Sequence, residues 1–66
     1  MIIFLNKAVS ANHLDSIQFI IGKSFTLKVE QNSLYVSGPR PKAIAKFVLS
    51  ALNELDYEID YVEEAA

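Results

Sequence analysis

The one histidine, His13, stands close to Ser10, Asp15 and Ser16, the residue types from which a nucleophile, a base and an orienting acid are assembled. If the segment is helical, Ser10 and His13 lie one turn apart at its start. That is capping territory, where a serine oxygen takes up a free backbone N–H. The expectation is a cap, and no catalytic residue is assigned.

Two further groupings carry charge. Ser37-Gly38-Pro39-Arg40-Pro41-Lys42 leads from a candidate strand into a candidate helix, where free N–H groups and two cations favour an anion. Its two prolines remove donors, and the glycine and lysine spacing of a phosphate-binding loop is missing. The second grouping is acidic: Glu54, Asp56, Glu58, Asp60, Glu63 and Glu64. Carboxylates that alternate along an extended chain do not converge as a cation loop requires. They suit either a guard on a sheet edge or a contact surface for a basic partner. No cysteine is present, so disulfides and thiolate metal sites are excluded, and one histidine cannot build a metal centre alone. No cofactor or metal is expected.

Charge is divided along the chain. All six cations (Lys7, Lys23, Lys28, Arg40, Lys42 and Lys46) precede residue 47, against only Asp15 and Glu30, whereas residues 47–66 hold six carboxylates and no cation. The net charge of −2 hides this polarity.

These groups have to be held by one small domain spanning residues 1–66. A chain of this length buries only about 60% of its unfolded surface, and such a core rarely supplies more than roughly 3–5 kcal/mol. With no staple available, the 52% apolar content points to a well-filled core or to self-association. The apolar run Ile2-Ile3-Phe4-Leu5 is too short for a signal peptide and has no basic residue before it. It reads as a central strand. No stretch reaches the ~20 apolar residues of a membrane span, so no membrane contact is expected and the cytoplasm is the default location.

The clearest element is a helix from Pro41 to Leu55. Ile44, Phe47, Val48, Ala51, Leu52 and Leu55 form one apolar stripe, and Pro41 suits the first helical position. Ser24 to Ser37 reads as a hairpin: Phe25, Leu27 and Val29 alternate with polar residues, and a turn at Asn32-Ser33 places Leu34 and Val36 on the same face. Tyr57, Ile59 and Tyr61 alternate with Glu58 and Asp60, giving a last strand.

Ser10 to Gly22 has two readings. As a helix it buries Leu14, Ile17, Ile20 and Ile21, with Ser10 as N-cap, Gly22 as C-terminal cap and Phe19 left outside. As a strand it pairs Ile17, Phe19 and Ile21 with the hairpin, giving a β-meander with one packed helix and a C-terminal strand. The helix reading gives β-α-β-β-α-β, an α+β ferredoxin-like two-layer sandwich with short connections. It also makes the first and third strands central and the charged second and fourth strands edges, so it is preferred.

In that arrangement one sheet face is bare. It carries Thr26, Lys28 and Tyr35, with either Ile2 and Phe4 or Ile3 and Leu5. Aromatics on central strands stack bases in RNA-recognition motifs, but the Arg/Lys-Gly-Phe/Tyr signature is missing and the acidic last strand repels phosphate. Uncovered apolar surface more often marks a protein interface. Phe19 and Leu49, off their helical stripes, expose apolar groups on the outer layer.

The expected function is a non-enzymatic macromolecular interaction module of adaptor, accessory or inhibitor type. It would be a homodimer and bind a protein partner, basic in character, through the acidic residues Glu54, Asp56, Glu58, Asp60 and Glu63 or through Phe19, Tyr35 and Leu49. The competing expectation is a nucleic-acid or phosphate binder using Lys23, Lys28, Arg40, Lys42 and Lys46.

Overall fold

The computed structural model describes residues 1–64, except the side chain of Pro41. The elements are β1 (Ile2–Leu5), α1 (Ala11–Ile21), β2 (Thr26–Glu30), β3 (Ser33–Ser37), α2 (Pro41–Glu54) and β4 (Ile59–Glu63). Every strand pairing is antiparallel, in the order β2-β3-β1-β4. The protein is thus α+β with the ferredoxin-like element order, and β1 and β3 are the central strands. Residues 11–21 are helical, so the β-meander is not formed.

Local chemistry explains why α1 stops where it does. Ser10 is extended, and its hydroxyl accepts from the His13 N–H at 3.4 Å. At the other end Gly22 adopts φ 83°, ψ −177°, a region that is essentially glycine-only. The Gln18 side-chain amide then donates to the carbonyls of Gly22 and Phe25, both at 2.8 Å, tying the helix end to the entry of β2.

The other helix ends without glycine. Tyr57 N–H reaches back to Leu52 O (3.0 Å) and Asp56 N–H to Asn53 O (3.2 Å), the paired bonds of a Schellman motif. Asp56 takes the left-handed position, φ 65°, which Asp tolerates better than most residues. This reversal turns Tyr57 inward, to 4% exposure. It also delays the last strand: pairing runs over Ile59–Glu63 rather than from Tyr57.

Both helices cover one face of the sheet. Ile3, Leu5, Leu34 and Val36 from the central strands meet Ile17 and Ile21 of α1 and Val48, Ala51 and Leu52 of α2 in one core. Two expected stripe residues lie outside it. Phe47 is 60% exposed and Ile20 is 57% exposed, whereas Leu49 is half-buried and packs against the core. Phe47 and Leu49 flank Val48, each about 100° around the helix. Burial of Leu52 and partial burial of Ala45 centre the buried stripe on the Leu49 side. The outer layer therefore displays Phe19, Ile20 and Phe47, not Leu49.

The hairpin turns one residue earlier than expected. Glu30 pairs with Ser33 and Val29 with Leu34, leaving Gln31 and Asn32 as the turn, with Gln31 at φ 54°. The neighbouring strand explains the choice, because Leu5 N–H bonds to Asn32 O at 2.8 Å. Shifting a turn by one residue moves each pairing by two, so the faces are preserved. Leu34 and Val36 still point to the core.

Candidate functional site

The face of the sheet away from the helices is bare. Because Ile3 and Leu5 are buried, Ile2 and Phe4 are the β1 residues on this side. β3 contributes Ser33, Tyr35 and Ser37, and β2 contributes Thr26, Lys28 and Glu30. In register these form two rows across four strands. One reads Lys28, Tyr35, Ile2, Glu63 and the other Glu30, Ser33, Phe4, Tyr61. The Phe4 and Tyr61 rings lie 5.7 Å apart, tilted by 37°, and Tyr61 is 59% exposed.

Tyr61 did not stand out in the sequence, where period two groups it with Tyr57 and Ile59 on a buried face. The pairing of β4 with β1 shifts between Phe4 and Leu5: Phe4 faces Tyr61, but Leu5 faces Ile59. Asp60 is the extra residue of this bulge, and one extra residue reverses the parity of the strand. Tyr61 consequently lies beside Phe4 on the bare face.

The acidic residues do not gather. Glu54 ends α2, Asp56 caps it and Glu58 precedes β4, where its N–H donates to Asn6 Oδ1 at 3.1 Å. Asp60 is the bulge residue, and Glu63 ends the row that begins with Lys28. Among the described residues, no group of three or more His, Cys, Asp or Glu is placed to hold a metal ion.

The cations are also dispersed. Lys28 lies on the bare face and Lys46 on α2. Lys23 follows α1, and Arg40 and Lys42 begin α2, at the end of the sheet where Thr26 pairs with Ser37. Lys42 Nζ lies 3.6 Å from Glu64 Oε2, with both side chains largely exposed, a pair of little energetic weight. Arg40 supplies no side-chain cap.

The polar cluster at the start of α1 is occupied by structure. The Tyr57 hydroxyl accepts from Ser10 N–H at 3.1 Å and lies 2.7 Å from His13 Nδ1. Lys7 Nζ sits 4.9 Å from the centre of the Tyr57 ring, and the His13 ring meets it edge-on. Ser16 Oγ donates to Asn12 O. The hydroxyl can donate to Nδ1 or accept from it, according to the tautomer of the imidazole. Tyr57→Phe removes the hydroxyl from both contacts and should lower stability by about 1 kcal/mol. Urea unfolding checks the energy.

No protein-family model, curated protein or solved structure matches the chain. Among the described residues, no helix is long and apolar enough to cross a membrane.

Proposed function

We propose that this chain is a non-enzymatic interaction module, dimeric and cytoplasmic, that works by binding another protein. One observation carries the reading. Both helices pack on the same face of the sheet; on the other, the half-buried Ile2, Phe4 and Tyr35 and the exposed Tyr61 lie adjacent across three strands, with no element over them among the described residues. Burying aromatic and aliphatic surface of this kind is the dominant drive for protein association. The charges bordering the patch are of both signs, Lys28 and Glu30 on β2 and Glu63 on β4, which suits a protein surface better than a run of phosphates. Glu58 and Asp60, close together at the start of the β4 edge, add negative charge there that would favour a basic partner.

The test places a photocrosslinking benzoylphenylalanine at Tyr61 and, as a control, at the exposed Ser50 of α2, in the living cell. Adducts with protein from position 61 and none from position 50 are expected. Adducts with RNA or DNA from position 61 would replace the protein reading with the nucleic-acid one.

A further inference from the structure

We infer that the bare sheet face is occupied by a second copy of this chain, packed face to face about a two-fold axis parallel to the strands. This deepens the proposed function and rests on it. The order of residues in the two rows favours this axis. Such an axis reverses left and right across the sheet but keeps height along the strands. The row Lys28, Tyr35, Ile2, Glu63 then meets its own reversal. Lys28 comes opposite Glu63 of the second copy, and Tyr35 opposite its Ile2. In the other row, Glu30 comes opposite the second copy's Tyr61 and Ser33 opposite its Phe4. A carboxylate therefore meets an ammonium at both edges, a phenol that donates meets a carboxylate that accepts, and Ile2, Phe4 and Tyr35 share the centre with Ser33.

The interface is isologous: every contact occurs twice. The competing axis, running across the strands, sets Lys28 against Glu30 and Glu63 against Tyr61, leaving Glu63 without a cation. Four strands about 4.8 Å apart and five residues at about 3.3 Å each give a face of roughly 19 by 17 Å. That is small beside the ~800 Å² per partner of a standard interface, so the dimer is a weak one of micromolar class. With this face closed between copies, the acidic β4 edge remains for other partners.

Charge exchange tests the geometry, read by sedimentation equilibrium from about 10 μM to about 1 mM. The unaltered chain should dimerise in this range. Lys28→Glu sets carboxylate against carboxylate at both edges, and Glu63→Lys sets ammonium against ammonium. Each alone should weaken association at least tenfold. An equimolar mixture of the two variants should recover affinity to within about threefold of the original, because their heterodimer restores an opposite-charge pair at both edges. Far-ultraviolet circular dichroism should match for all three chains, since exposed charges contribute little to folding.

A monomer throughout the range overturns the inference, and so does a mixture no tighter than either variant alone. Loss of dimer with Lys28→Glu but not with Glu63→Lys overturns it in favour of the axis across the strands. If the chain stays monomeric while position 61 crosslinks to other proteins, this inference fails and the interaction reading stands. If position 61 captures no protein, not even a second copy, the interaction reading itself fails.

Discussion

Leu52→Ala is expected to lower the unfolding free energy by about 3 kcal/mol, enough to leave much of the chain unfolded in water. Leu52 is fully buried on α2, in one core with residues of β1, β3 and α1. Truncating such a leucine typically costs about 2–5 kcal/mol, through lost transfer energy and the cavity left behind. A domain of this size has only roughly 3–5 kcal/mol in total. The backbone role of Leu52, accepting from Tyr57 N–H and Leu55 N–H, survives the change, so the loss is one of packing. Urea titration followed by circular dichroism measures it. Phe47→Ala on the same helix removes a larger but 60% exposed side chain and should stay within about 0.5 kcal/mol. Equal losses from the two substitutions would mean that α2 is rotated relative to the face described.

Gly38→Ala is the second large effect, and its cause is a collision rather than a cavity. A Cβ at this position would lie 2.8 Å from Phe25 Cε1 and closer still to Cδ1. Phe25 is half-buried and packs against the core at the entry of β2, so its ring has little room to retreat. Forcing extra atoms into a packed site costs about 1–3 kcal/mol. For a domain of this size, 2 kcal/mol corresponds to a fall in Tm of about 8–16 °C. Differential scanning calorimetry gives the number. The double variant Gly38→Ala with Phe25→Leu should recover part of the loss, because the smaller side chain vacates the space. If the double variant were less stable than both single variants, the loss would belong to the glycine backbone and not to the ring.

How legible these positions were depends on the range of the forces that set them. The capped helix at residues 11–21 was readable once topology was allowed to choose between two local patterns, and Ser10 and Gly22 mark its ends as capping chemistry requires. Which of two residues flanking Val48 goes inward was not readable. Phe47 and Leu49 are equivalent on a helical wheel, and the choice is made by the tilt of α2 on a sheet that local pattern does not contain. The Asp60 bulge is still less local. It arises where β4, released late by the Asp56 reversal, meets a β1 whose register is already held by β3. Tyr61, 59% exposed on the bare face, was therefore missed. Period two was followed past a point where the strand breaks it.

The pairing of Ile2 with Glu63 has a consequence for the order of assembly. Contacts between β2 and β3 span only a few residues and can form early. The β1–β4 ladder joins residues about 60 positions apart and must close a long loop, the slowest kind of contact to make. During synthesis β1 leaves the ribosome before β4 and waits, with one side of its backbone unpaired, until β4 arrives. The row Lys28, Tyr35, Ile2, Glu63 is complete only after that step. Under the proposed pairing, a face that recognises its own copy through this row becomes available only once β4 has docked, so chains short of that step lack the charges that would pair.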